Sequence, residues 1–360
     1  MGIQGCKYSE LIAGGQVPQM KIVAVAARRE HQKEWVQEHL ASDVQIFTEG
    51  KELIDSGVCE AVIIAVPHYL HPELAVYAME RGIHVLCDKP AGVYTKQVRE
   101  MNEVAEKVDV EFGMIFNQRT NCIYRKLHEL IKSGELGEIK RINWIVTDWY
   151  RTQSYYNAGS WRATWAGEGG GVLLNQCPHQ LDLFQWLFGM PTKVRAFCHE
   201  GKWHDIEVED DVTAYMEFEN GATAVFVTTT GDAPGTNRLE ITFDRGKLLC
   251  EDEKLTLWQL EVSEKEWRFT AEDGFAKPPC KKIEIKTDGK NEQHAGVLNA
   301  FAGKVLNGTP QVAEGTEGIK GLMLSNAMYL SSWLGETVEL PVDEELFLQE
   351  LEKRSQGKNS

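Results

Sequence analysis

Up to residue 118, short apolar runs alternate with stretches whose apolar positions recur at helical spacing. Residues 21–26, 61–66, 83–87 and 110–116 read as buried strands, the second stopped by Pro67. Residues 30–40, 71–81 and 95–108 read as helices, and Gly82 closes the middle one as a C-cap residue. Apolar strands alternating with amphipathic helices predict a parallel sheet covered on both faces.

After Asn121 the period changes. A helix at 123–133 precedes an alternating strand at 139–149, a glycine- and aromatic-rich loop at 151–171, and a further helix from Asn175. Strand patterns follow at 194–198, 212–218, 222–230, 238–243, 247–250, 255–262 and 282–285, then helices at 291–306 and 315–334. Asn220-Gly221 between two alternating runs is a strong hairpin signal. The expected fold is α/β: a Rossmann-type parallel-sheet domain at 1–120, an α+β domain with an open, mostly antiparallel sheet at 121–345, and a C-terminal tail at 346–360 that frays from Arg354 onward.

Within that frame, 360 residues suffice for two domains. A net charge of -16 argues against a nucleic-acid partner. No apolar run approaches the ~18 residues of a membrane span, and residues 1–7 lack signal-peptide order. The eight cysteines stand singly, without zinc spacing, so they read as reduced core thiols in a cytoplasmic chain and no metal is expected.

A parallel sheet of this kind takes ligands at the carboxyl ends of its strands. Gly2 and Gly5, with Ile3 and Gln4 between them, keep the spacing of the last two glycines of a dinucleotide-binding GxGxxG. The first glycine and the strand before it are absent, which leaves two expectations: translation begins further upstream, or the chain lacks the strand and holds cofactor poorly. At the next strand end, Ala27-Arg28-Arg29-Glu30 leans towards NADP through Arg28, while Glu30 leaves NAD open.

Cys87-Asp88-Lys89-Pro90 puts a lysine at the end of an apolar strand, where it can donate to a substrate hydroxyl or assist its deprotonation; read alone, Lys89 is equally a surface lysine. Asn175, His179, Asp182 and Trp186 fall at helical spacing on one face. There His179 suits a general base and Asp182 a group that orients it, although a lone helix carrying them is more often structural. Gly169-Gly170-Gly171 just upstream implies close backbone approach to a ligand. Trp149, Tyr150, Arg151, Tyr155, Tyr156, Trp161, Arg162 and Trp165 crowd one loop, as a sugar-stacking platform or as a satellite apolar cluster.

Taken together, these motifs resemble the Gfo/Idh/MocA family of sugar and cyclitol oxidoreductases. The carrying residues are Ala65-Val66-Pro67-His68-Tyr69-Leu70-His71, Cys87-Asp88-Lys89-Pro90, Phe116-Asn117-Gln118-Arg119, Trp161-Arg162, the three glycines and the stretch from Asn175 to Asp182. The resemblance implies a tightly held NAD or NADP. It implies cofactor contacts from Ala65, Val66, Pro67, His68, Leu70, His71, Asp88, Lys89, Pro90, Asn117, Trp161 and Arg162. It implies His179 as base with Lys89; Asn175 stands where the cyclitol branch has aspartate, which puts an Asp–His pairing in doubt. The aromatic loop resembles the branch that oxidises glycosides at C3. The expected activity is therefore oxidation of a ring hydroxyl of a sugar or glycoside. Alternatives are a redox-cycling glycosidase, an anhydro-sugar or cyclitol dehydrogenase, and a non-catalytic cofactor-binding relative. Trp144, Val146, Tyr215, Phe218, Val225 and Val227 are expected to line an exposed sheet face that pairs in a homodimer or homotetramer.

Overall fold

The computed structural model describes residues 2–159 and 161–356. Two compact units emerge: residues 1–120 with 167–169 and 292–322, and residues 121–166 with 170–291 and 323–360. The leading segment of the first unit ends at 120, and the chain returns to that unit at 167–169 and at 292–322.

In the first unit, α1 (Ile3–Ala13), β1 (Ala24–Ala26), α2 (Glu30–His39), β2 (Gln45–Phe47) and α3 (Gly50–Asp55) come first. They are followed by β3 (Ala61–Ile64), α4 (Leu70–Met79), β4 (His84–Cys87), α5 (Thr95–Ala105) and β5 (Phe112–Met114). All strand pairs are parallel, but they form two sheets, β1–β2 and β3–β4–β5, rather than one. Among the described residues each of β1 and β3 pairs on one side only. The observed strands are shorter than their apolar runs because ladder pairing stops where the chain bends into the turns at 27–29, 65–69 and 88–94.

The second unit begins with α6 (Cys122–Lys132), β6 (Ile139–Val146), α7 (Gln153–Tyr156) and α8 (Pro178–Phe188). Next come β7 (Lys193–Glu200), β8 (Glu209–Glu217), β9 (Thr223–Thr229), β10 (Asn237–Phe243), β11 (Gly246–Glu251), β12 (Lys254–Leu260), α9 (Glu264–Thr270) and β13 (Cys280–Ile285). The last elements are α10 (Gln293–Asn307), α11 (Gly318–Leu334), β14 (Val338–Glu339) and α12 (Glu344–Gln356). Of these, α10 and the start of α11 belong to the first unit. The C-terminal tail expected at 346–360 is helical through Gln356, with Phe347 and Leu351 buried, so residues 354–356 of the expected frayed end are helix; residues 357–360 lie outside the described residues.

Nine strands form one sheet in the order β13-β12-β11-β10-β6-β9-β8-β7-β14, antiparallel except for β6 beside β9. The Asn220-Gly221 turn joins β8 to β9, with Gly221 at φ +83° and Asn220 Oδ1 accepting from Ala222 N at 3.0 Å. Burial alternates along β8 and β9, so one face is buried and the other is not. Trp144, Val146, Ala214, Met216 and Phe226 are fully buried on the inner face. This corrects the expected exposed set. Trp144 and Val146 lie inward and Phe218 stacks on Phe184 of α8, whereas Ile145, Phe197 and Tyr215 are exposed and Val225 and Val227 half-buried. The eight cysteines are free thiols, but only Cys87 and Cys177 are buried, so most are not core residues.

Candidate active site

Each unit carries candidate site residues of its own. In the first, β4 ends at Cys87 and its exit is fixed by backbone bonds: Asp88 N donates to Ile64 O at 2.9 Å and Ile115 N to Cys87 O at 2.9 Å. Asp88 is buried; its Oδ1 accepts from Lys89 N at 2.8 Å, and the Tyr8 hydroxyl of α1 also donates to it. Burial first, then that neighbouring carboxylate, push the Tyr8 phenol far up. Lys89 is half-buried just beyond.

His71 is 1% exposed, and its two ring nitrogens face Pro90 O at 2.7 Å and Val66 O at 2.8 Å. Burial pulls its pKa down, partly offset by those carbonyls. It ties the turn at 65–69 to the turn at 88–90, so its side chain is occupied by backbone rather than presented to a cofactor. His68 is buried against Glu168 O at 3.1 Å. Ala65 and Val66 are half-buried, Pro67 and Leu70 exposed, Pro90 buried. Asn117 is buried with its Nδ2 on Gln293 and its Oδ1 without a partner. Arg119 of the same motif is pinned to Glu317 at 3.0 Å.

Gly2 caps α1 in an extended conformation, with no side-chain cap and no acidic residue in the first turn. Gly2, Ile3 and Gln4 are exposed and Gly5 half-buried. The uncapped N–H groups of that turn are a donor set suited to a dinucleotide pyrophosphate. Ala27 is buried, and its N donates to Phe47 O at 2.8 Å. Arg28 does not stand free to read a phosphate: Nε donates to Glu49 Oε1 at 2.7 Å and Nη2 to the other carboxylate oxygen. The residues present thus fit the dinucleotide backbone.

Two residues of this unit escaped the sequence reading. Gln293 opens α10 at φ +50°, an unusual conformation for a side chain of its size, and accepts from Asn117 and Gln118. His294 beside it lies 5.5 Å from the Tyr8 ring, and burial, then Lys7 and Lys89, push it down to about 4. Their signal was spatial, since α10 lies far downstream of the motifs it joins.

In the second unit, α8 begins at Pro178 in its first turn. Asn175 therefore precedes the helix and does not share its face, as the spacing had implied; it lies in the turn closed by Asn175 N on Gly171 O at 2.9 Å. His179 is half-buried in the first turn of α8, with Asp182 one turn on, buried and accepting from Gln185 at 3.0 Å. Trp186 stacks on His128 of α6 at 3.9 Å, so it packs the helix. The three glycines are explained by the protein itself. A Cβ on Gly169 would overlap Val93, one on Gly170 the Tyr329 hydroxyl, and one on Gly171 the Glu209 carbonyl.

The aromatic loop divides. Trp165 is 3% exposed between Tyr329 and Trp333, each 5.3 Å away, and Tyr156 is buried with its hydroxyl on Thr230 at 2.8 Å. Both are packing residues, which corrects their expected place against substrate. Trp149 and Trp161 are half-buried, and Tyr150 is 50% exposed. Tyr155 is the hub of the half-exposed part. Its hydroxyl oxygen takes Arg162 Nη1 at 2.9 Å, Gln176 Nε2 at 3.3 Å and Asn175 Nδ2 at 3.4 Å. The guanidiniums of Arg151 and Arg162 lie over its ring at 5.1 and 4.8 Å.

Comparison with known proteins decides the family. Residues 2–116 match the model described as an oxidoreductase family with an NAD-binding Rossmann fold, and residues 124–249 match the GFO/IDH/MocA C-terminal domain. The chain belongs to the Gfo/Idh/MocA family. Among curated relatives, D-glucoside 3-dehydrogenase of Escherichia coli K12 is 24% identical over 340 residues, 89% of this chain and 90% of that protein. Levoglucosan dehydrogenase of Pseudarthrobacter phenanthrenivorans is 26% identical over 220 residues, 55% of each chain. The chain spans about half the length of most of the curated relatives it matches. The WlbA dehydrogenase of Bordetella pertussis, solved with NADH and UDP-GlcNAcA, superposes at TM-score 0.75 with 22% identity, covering 91% of this chain and 94% of that one. That likeness carries the fold, and the Rossmann domain of this family member is of the NAD-binding kind. Among the described residues no group of three or more His, Cys, Asp or Glu could hold a metal, and no helix is long and apolar enough to cross a membrane.

Proposed function

We propose that this family member oxidises a ring hydroxyl of a sugar or glycoside, with C3 of a glycoside the favoured position. The observation that carries the reading is His179, a half-buried imidazole in the first turn of α8 with the buried carboxylate of Asp182 one turn on, in a chain of an NAD-binding oxidoreductase family. A nicotinamide bound to the first unit supplies the acceptor for the electron pair. His179 takes the proton of the substrate hydroxyl, and Lys89 donates to the same oxygen to ease its loss. Asp88 holds the backbone of Lys89 at the exit of β4. Tyr155, Arg151 and Arg162 orient the sugar through its hydroxyls and apolar face. The relatives support this: D-glucoside 3-dehydrogenase, levoglucosan dehydrogenase and inositol 2-dehydrogenase are named for ring hydroxyl chemistry.

NAD is the expected cofactor, because Glu49 already satisfies Arg28. The exposed face bearing Ile145, Phe197 and Tyr215 is the expected dimer surface. Light scattering at micromolar concentration is expected to give a dimer or tetramer mass, and a monomer mass refutes it. The activity is tested by following nicotinamide reduction with methyl glucosides, levoglucosan and inositol. Reduction with a glycoside supports the reading; bound cofactor with no reduction by any sugar supports a non-catalytic relative.

A further inference from the structure

β8 opens with two adjacent carboxylates, Glu209 and Asp210, each 0% exposed. Successive side chains on a strand point to opposite faces, so the two reach different neighbours. A buried carboxylate is costly unless donors surround it, and here the donors come from the two segments that form the candidate substrate side.

Glu209 meets no cation among the described residues. Its Oε2 accepts from Gly171 N at 2.8 Å, and its Oε1 from Leu173 N at 2.9 Å and Tyr329 Oη at 2.7 Å. Its backbone carbonyl also takes Val172 N at 3.1 Å. The backbone so gripped leads through Asn175 into the first turn of α8, where His179 sits.

Asp210 grips a different segment. Oδ1 accepts from Lys202 N at 3.0 Å, and Oδ2 from Trp203 N and His204 N, both at 2.9 Å. His204 Nδ1 lies 2.9 Å from the same oxygen, and its Nε2 lies 3.0 Å from the carbonyl of Arg151. That carbonyl can only accept, so Nε2 donates. The turn that Asp210 organises then holds the aromatic loop at further points. Gln153 exchanges two hydrogen bonds with the Asp205 backbone, at 2.9 and 3.2 Å, and Glu207 N donates to Ala163 O at 3.1 Å. The Tyr156 ring rests 4.9 Å from that of His204. Ala163, next to Arg162, is held at φ +54°, a conformation that persists only when its surroundings impose it.

We propose that Glu209 and Asp210 are positioning residues with divided labour: Glu209 fixes the backbone that delivers His179, and Asp210, through His204, fixes the loop that carries Arg151, Tyr155 and Arg162. The kinetic part of this proposal rests on the dehydrogenase reading above; the structural part is measurable without it.

Hydrogen exchange and steady-state kinetics on the full chain test it with Glu209→Gln, Asp210→Asn and His204→Gln. Asp210→Asn and His204→Gln are expected to speed amide exchange across 151–163 and to raise sugar KM several-fold with kcat nearly kept. Glu209→Gln is expected to speed exchange across 170–177 and to lower kcat about ten-fold or more with KM nearly kept, since small misplacement of a reacting group is costly. Cofactor affinity stays unchanged in Glu209→Gln, whose segment 170–177 carries none of the expected cofactor contacts. If Glu209→Gln does not fold, Tyr329→Phe removes one of its donors and is expected to loosen 170–177 alone. Equal loosening of both segments in each variant, no loosening in either, or KM and kcat moving alike throughout overturns the proposal. A split exchange pattern in a protein that oxidises no sugar upholds the division of labour and instead defeats the dehydrogenase reading.

Discussion

The candidate residues of the two units are held by different means. Around Lys89, two side chains are spent on backbone close by, His71 on Val66 and Pro90 and Asp88 on Lys89, while the Tyr8 hydroxyl reaches Asp88 from α1. Around His179, the loop side chains bond one another and are anchored by residues at 204, 209 and 210. A site held by adjacent backbone leaves a compact motif in the sequence. A site held by side chains from remote strands leaves composition without geometry.

The largest expected effect tests whether both units take part in chemistry. Lys89→Ala and His179→Ala are each expected to lower turnover by about 100-fold or more, typical of losing a positioned acid–base group, with cofactor titration unchanged. Near-normal turnover in either variant makes that residue structural and leaves the chemistry to the other unit.

The next contrast is between stability and turnover. His71→Ala removes the buried imidazole between the Pro90 and Val66 carbonyls, leaving the one it donates to without that donor, and is expected to cost roughly 1–3 kcal/mol in chemical denaturation. Tyr155→Phe removes an acceptor shared by Arg162, Gln176 and Asn175. It is expected to cost only about 1 kcal/mol of stability while lowering kcat/KM for the sugar. The reverse pattern would erase the distinction between the units.

Glu209 gives the second unit a pH dependence. Burial pushes its pKa from 4.5 up to about 8, against the pull of Leu173 N, the Tyr329 hydroxyl and Gly171 N. Tyr329 on α11 and Cys198 on β7 face it, and both are themselves pushed well above their ordinary values, so they stay neutral through this range. The folded chain therefore holds the Glu209 proton more tightly than the unfolded chain. This stabilisation, on the order of a few kcal/mol, is complete below pH 4.5 and is lost as pH rises towards about 8. The denaturation midpoint of wild type is expected to fall relative to that of Glu209→Gln as pH rises across that window. Parallel midpoints would show that the carboxylate is already ionised throughout.

The smallest effect is expected at Arg28. Because Glu49 holds its guanidinium, Arg28→Ala is expected to change NAD and NADP affinity little and alike. A selective loss of NADP affinity in calorimetric titration would show that a phosphate displaces Glu49.

Much of the fold was legible because periodicity reports burial: the parallel strands, the open sheet and the Asn220-Gly221 hairpin follow directly from it. The return of residues 292–322 to the first unit was not legible, since nothing in the α10 pattern says which unit its apolar face meets. Lys89 and His179 stood out through their local motifs. Asn175 was misassigned to the helix because i, i+4 spacing is also satisfied across a turn that ends at Pro178. Trp165 and Tyr156 were misread because aromatic composition does not separate a stacking platform from a packed cluster. The three glycines pointed to a ligand, whereas Val93, Tyr329 and Glu209 require them. His204, Glu209 and Asp210 carried no motif; their burial and hydrogen bonds in the fold reveal them.

The most direct test of the central claim follows the transferred atom. Wild-type protein with NAD and a methyl glucoside deuterated at C3 is expected to yield reduced nicotinamide carrying deuterium by mass spectrometry, with the label absent in His179→Ala over the same time. Unlabelled cofactor and unchanged glycoside, in a protein shown to bind both, would contradict the account.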